Sequence, residues 1–166
     1  AAVAGLIAGI YWLLMLVGRF VSAFISGKVS SRIQLTTTSV VAISLLLVAI
    51  FMPETSKINL IIPDITHWKL IDAEVPTNVV FIVLCGLCTS VMWGVIYNLA
   101  TEGLGRYTAS ASGLFMTMVF GGGVMPLIQD LIATKIGDIN SYWLVVAMLS
   151  YLLFYALVGS RQSKNN

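Results

Sequence analysis

The sequence predicts an all-α membrane protein with five transmembrane helices, and three observations carry that expectation. Of the 166 residues, 58% are hydrophobic and only 10% are charged, and the mean hydropathy is +0.96. Soluble domains carry about 25% charged residues, so lipid is the solvent for most of this chain. The apolar residues also gather into five runs, each near the roughly 20 residues needed to cross a bilayer. Finally, small residues recur at helical spacing in some runs and not in others, as expected of helices that pack against each other within a membrane.

The spans are expected at 4–27, 35–52, 78–101, 108–134 and 141–159, forming one helical bundle over residues 1–166. The first opens with "AAVAGLIAGIYWLLMLVG", which has no basic leader region and no initiating methionine, so a fragment lacking an N-terminal portion is expected. The long connection at 53–76, "PETSKINLIIPDITHWKLIDAEVP", reads as a surface loop on the outer side. Orientation follows from basic residues near span ends. Lys28, Arg32, Arg106, Arg161 and Lys164 share one side, against Lys57, Lys69 and Lys135 on the other. The first side, with the tail "SRQSKNN", is therefore expected to be cytoplasmic, and Trp68, Tyr142 and Trp143 then fall at the outer interface.

Glycine distribution ranks the spans. No glycine lies between Gly27 and Gly86 or between Gly137 and Gly159, so the second and fifth spans look uniformly apolar. In the first, Gly18, Ser22 and Ser26 share a face. In the third, Gly86, Ser90, Gly94, Asn98 and Glu102 repeat every four residues, and Ala109, Gly113, Thr117 and Gly121 do so in the fourth. Such faces allow close helix approach, so spans one, three and four are expected inside and spans two and five at the periphery.

Within the fourth span, "FGGGVMP" interrupts the helix former pattern. Glycine costs a helix interior about 1 kcal/mol and proline about 3. Two readings of Gly113, Gly121, Gly122, Gly123 and Pro126 remain open: a hinge or substrate-site break of the kind tolerated beside protein or a water-filled cavity, or tight packing against a neighbour. A phosphate-binding loop is excluded, because no Lys-Ser/Thr follows the glycines.

Polar groups inside the spans are the candidate binding residues. Arg19 lies roughly 6 Å from the middle of the first span by helical rise, where an ionisable group is costly. A binding role competes there with snorkelling or a structural hydrogen bond. Trp93, Tyr97 and Thr101 share one face of the third span, and Asn98 and Glu102 the next. Rings beside amide groups suit a sugar, with interhelix packing as the alternative for Trp93 and Tyr97. Gln129, with Asp130, closes the fourth span as a gate contact or a solvated helix end.

Other classes are excluded or unfavoured. A net charge of +2 does not point to nucleic acid. Cys85 and Cys88 form a lone C-x-x-C in an apolar run and are expected to pack as small hydrophobes. No Ser–His pair, paired acids or metal cluster falls within the spans, so no catalytic residue, metal or bound cofactor is expected.

Three stretches carry a family resemblance: "YWLLMLVGRF" (11–20), "SVMWGVIYNLATEGLGRYTASASG" (90–113) and "FMTMVFGGGVMPLIQ" (115–129). They resemble the sugar-transporting major facilitator superfamily proteins of the L-fucose permease group, especially the bacterial glucose/galactose-type transporters within it. The resemblance implies a partial C-terminal half of a twelve-helix fold, with the five spans as helices eight to twelve. It also implies symport of a hexose or deoxyhexose with a proton or sodium ion by alternating access, in a bacterial inner membrane, with the C-terminus cytoplasmic. Gly18, Arg19, Phe20, the Asn98–Glu102 region and the Gly121–Pro126 break carry over as motif positions. The implied partners are the bilayer, a monosaccharide and the missing N-terminal half of the same transporter, which would hold the coupling acids. A transporter of another solute, such as an amino sugar or a drug, and a non-transporting sensor or scaffold are the alternatives.

Overall fold

The structure, a computed structural model, describes residues 2–53, 55–64 and 69–159. His67, Trp68, Arg161, Lys164 and the rest of the tail at 160–166 lie outside the described residues. Helix α1 covers Ala2–Ser26 and α2 covers Ser31–Phe51. Strands β1 (Lys57–Asp64) and β2 (Lys69–Pro76) follow, then α3 (Thr77–Thr101). The fourth span is α4 (Thr108–Met118) and α5 (Gly121–Ile136); the fifth is α6 (Asp138–Ser141), α7 (Trp143–Phe154) and a π-helical turn, Tyr155–Gly159. Five helical stretches are thus long and apolar enough to cross a membrane, in agreement with the all-α membrane class. A tight turn separates α3 from α4. It needs left-handed backbone at Gly103 (φ 77°) and Gly105 (φ 50°), which only glycine adopts without strain.

Helix α3 is the hub: α1 and α2 both pack along it, and α7 packs on α2. The core lies on the α2–α3–α7 side. Leu35, Ser39, Ala42, Leu46 and Ala49 of α2 are buried at alternating spacings of four and three, and Cys85, Cys88, Met92 and Val95 of α3 at three and four. That alternation keeps one seam facing its neighbour, as in knobs-into-holes packing. Val146, Leu149 and Ala156 of the last span complete the cluster. Cys85 and Cys88 are free thiols within it, as expected of packing residues.

Within this chain the expected ranking of the spans holds for α3 and departs at α2 and at the fourth span. Helix α2, glycine-free and expected at the periphery, contributes a continuous seam of the core against α3, whereas α4 and α5 bury no residue at all. The reason is steric. A peripheral helix still needs one face against its neighbours, and Ser39, Ala42 and Ala49 provide a small-residue seam without glycine. The glycines of α4 and α5 meet nothing: a Cβ built on Gly113, Gly121, Gly122 or Gly123 finds no atom within 4 Å.

The connection read as a surface loop contains an antiparallel hairpin, paired from Lys57↔Pro76 to Asp64↔Lys69. In a two-stranded sheet each strand is an edge, so Pro63, with no N–H to donate, is tolerated. Val75 anchors the hairpin among Leu6, Ile7 and Ile10 of α1 and Val79 of α3. The backbone N–H of Thr77 donates to the Ser56 carbonyl at 2.9 Å and closes its base. Lys57 and Glu74 pair at 3.2 Å, both well exposed, a contact that contributes at most about 1 kcal/mol.

At the other end of the bundle, Arg32 ties the first turn of α2 to the last span. Its Nε donates to the Ala156 carbonyl at 2.7 Å, and its guanidinium also donates to the Leu157 carbonyl. A cation at the carbonyl end of a helix is favourable because it faces the negative end of the helix dipole.

Candidate functional site

The crossing of α1 and α3 builds the site. Gly18 lies directly on Leu87 and Ser90: a Cβ there would overlap Ser90 Oγ and come within 2.8 Å of the Leu87 carbonyl oxygen. About two turns earlier on α1, the Tyr11 ring covers Gly86, and the Tyr11 hydroxyl meets Thr89 Oγ1 at 3.4 Å. Close approach at these two points is the use of the small residues here. Beyond Gly18 the helices diverge and leave a cavity of about 260 Å³.

Arg19, Ser22 and Ser26 line this cavity from α1, and Ser90, Trp93 and Asn98 from α3. Three of the residues singled out from sequence, Arg19, Trp93 and Asn98, therefore meet around one space. Arg19 has no hydrogen bond or ion pair with another described residue. A guanidinium, an indole and an amide line it with three serines, a donor and acceptor set suited to a polyhydroxylated ring. A second, larger cavity of about 620 Å³ shares Ser26 and Asn98 with the first. It extends toward the Arg32 end between Thr101, Glu102 and the start of α2.

Tyr97 stands one step aside. Its hydroxyl bonds Ser112 Oγ at 2.7 Å, and Ser112 in turn donates to the Thr108 carbonyl. Phe115 of α4 presents an edge-on contact to both Trp93 (centroids 5.3 Å) and Tyr97 (5.5 Å). Tyr97 thus joins α3 to α4 and fixes Trp93 through Phe115. Sequence reading missed Phe115, although two rings at i and i+4 on α3 call for an aromatic partner on a neighbouring span. It also treated Ser22, Ser26 and Ser90 as packing residues only; their places along the cavity come from the divergence of the helices.

Gln129 is not part of this group. It lines a separate cavity of about 280 Å³ with Pro126, Asp130, Asp138, Ser141 and Tyr142, and its Nε2 lies 3.4 Å from Ser141 Oγ. The helix breaks just before the glycine segment and not at it, since Gly121, Gly122 and Gly123 are themselves helical in α5. Between Met118 and Gly121 the i→i+4 ladder gives way to shorter bonds: Val119 N–H to the Met116 carbonyl and Phe120 N–H to that of Thr117, both at 3.2 Å. Pro126 lies inside α5, one and a half turns on. No group of three or more metal-ligating side chains occurs among the described residues.

No family model matches the chain, and no solved structure does. Among curated proteins, the chain is similar to a glucose/galactose transporter of Brucella abortus, 37% identical over 76 residues that make up 46% of this chain and 18% of that protein. It is also similar to a Helicobacter pylori protein named "Putative glucose/galactose transporter", 28% identical over 161 residues that make up 94% of this chain and 34% of that protein. The chain thus spans about a third or less of the length of these relatives. A multi-pass helical membrane protein is what sequence, fold and likeness have in common.

Proposed function

We propose that this chain is part of a secondary transporter that moves a hexose or deoxyhexose across a bacterial inner membrane, coupled to a proton or sodium ion. The observation that carries the reading is the convergence of Arg19, Trp93 and Asn98 on one cavity at the α1–α3 crossing, in a chain similar to proteins named for glucose and galactose. The Trp93 face stacks on the apolar face of the sugar ring. Arg19, Asn98 and the serines exchange hydrogen bonds with its hydroxyls. Tyr97 and Phe115 hold the indole in place.

The remaining half of a twelve-helix transporter covers the faces that this chain leaves open. Trp12, Leu16, Phe20 and Phe24 form a stripe along α1, 52% to 81% exposed, and Phe120, Leu127 and Leu131 are 65% to 78% exposed on the fourth span. The residues bearing the coupling cation belong to that other half, and the C-terminus is cytoplasmic. Alternating access is then a rocking of the two halves about the cavity, with the break before Gly121 as a flexible point.

The test is uptake of labelled glucose and galactose by the complete protein in proteoliposomes, with a proton or sodium gradient imposed in turn. Gradient-dependent, saturable uptake that Trp93→Ala and Asn98→Ala both weaken is the expected result. Uptake unaffected by either substitution moves the sugar site away from this cavity. No uptake of any monosaccharide under either gradient rejects sugar symport.

A further inference from the structure

Polar lining does not end where the Arg19 cavity ends. The larger cavity of about 620 Å³ adjoins it through Ser26 and Asn98, and only Val29 and Leu99 among its lining residues are apolar. Helical spacing produces this continuity. On α1, Arg19, Ser22 and Ser26 follow at intervals of three and four, and on α3 Ser90, Gly94, Asn98 and Glu102 follow at intervals of four. The two helices end at the same level, with Ser26 of α1 and Thr101 of α3 both lining the larger cavity beside the start of α2. From Trp93 to Thr101 is about 12 Å along α3, so the two cavities are distinct places for one small ring.

Their chemistry differs. The larger cavity offers the Glu102 carboxylate, the Ser30 and Ser31 hydroxyls and the Asn98 amide, but no aromatic ring among the described residues. Ser30 is the N-cap of α2, yet its side chain makes no capping bond, so its hydroxyl is not spent on the helix end. Thr101 donates its proton to the Tyr97 carbonyl at 2.8 Å and keeps only acceptor capacity. A carboxylate that accepts, beside hydroxyls that both donate and accept, matches the hydroxyls of a sugar. The apolar face of the sugar finds no stacking partner there. We propose that the larger cavity is a second, weaker sugar subsite, occupied by a hexose between the Trp93 cavity and the solution at the Arg32 end. In it Glu102 accepts hydrogen bonds from ring hydroxyls, and Ser30 and Ser31 exchange them with others. Asn98, common to both cavities, is the contact the sugar keeps as it moves. The subsite rests on the sugar-transport reading and extends it from one binding place to two.

Equilibrium dialysis of labelled glucose and galactose against the purified full-length protein in detergent tests the assignment. The unaltered protein should bind two hexoses per chain, the second about tenfold more weakly for want of aromatic stacking. Glu102→Gln should remove the weak class of sites and leave the tight class unchanged. Ser30→Trp, which fills the cavity from the exposed start of α2, should do the same even if Glu102→Gln folds poorly. Trp93→Ala should weaken the tight class several-fold and leave the weak class in place. One bound hexose per chain in the unaltered protein, or a weak class untouched by both Glu102→Gln and Ser30→Trp, overturns the subsite and leaves the Trp93 cavity as the sugar site. No hexose bound at all overturns the sugar reading and the subsite together.

Discussion

Gly18 and Ser90 sit so close across the α1–α3 crossing that a single added methyl group has nowhere to go. Their contact sets the point from which the two helices diverge, and so the size of the cavity that holds Arg19, Trp93 and Asn98. Gly18→Ala should therefore destabilise the protein by about 1–3 kcal/mol, the usual range for overpacking. Ser90→Ala should only partly rescue it, because the Leu87 backbone oxygen remains 2.8 Å from the new carbon. Thermal unfolding in detergent of the single and double variants measures this.

Gly122 gives the opposite expectation. Its Cβ would meet no atom of this chain, and alanine favours a helix by about 1 kcal/mol over glycine. Gly122→Ala should keep or raise stability. If the break before Gly121 works as a hinge, sugar binding persists while turnover falls, because gating rather than recognition is impaired. Equilibrium binding and uptake rate on one preparation decide the matter, and unchanged uptake rejects the hinge at this position.

Trp93 and Tyr97 should separate by role. Trp93→Ala removes the stacking ring, and sugar affinity should weaken several-fold or more, since burying an aromatic face is worth about 1 kcal/mol or more. Tyr97→Phe keeps the ring against Phe115 and loses only the hydroxyl bond to Ser112. It should cost roughly 1 kcal/mol of stability with little change in affinity. Isothermal binding titrations beside melting curves distinguish them; a larger affinity loss for Tyr97→Phe than for Trp93→Ala would reverse the assignment.

Arg19→Lys retains a charge but not the planar fork that makes paired hydrogen bonds. Uptake should drop strongly at unchanged membrane abundance. Wild-type transport by this variant removes Arg19 from the site and leaves it as a snorkelling side chain.

Arg32→Gln should loosen the last span. The substitution abolishes the charged donors to the Ala156 and Leu157 carbonyls, and the cost should be roughly 1 kcal/mol, reduced by the partial exposure of the pair. Hydrogen exchange localised to residues 150–159 should rise, while the hairpin end of the bundle stays as protected as before.

Sequence by itself determined the five spans, because hydropathy over some 20 residues depends only on which side chains tolerate lipid. It also marked the fourth span as interrupted, although the break falls at Val119 and Phe120 and the glycines and Pro126 are helical, and it named Arg19, Trp93 and Asn98 as polar or amphipathic groups in apolar spans. Only the tertiary structure decided which of these meet. Arg19 and Asn98 are 79 positions apart, and their sharing of one cavity depends on where Gly18 lets α1 touch α3. The same holds for the separation of Gln129 and the partnership of Phe115 with Trp93 and Tyr97. Glycine content misranked α2 because a packing seam needs small or complementary side chains at spacings of three and four, and Ser39, Ala42 and Ala49 supply them as well as glycine does. Local chemistry sets what a segment can be; contacts between segments far apart in the chain set where it lies, and those are decided by shape.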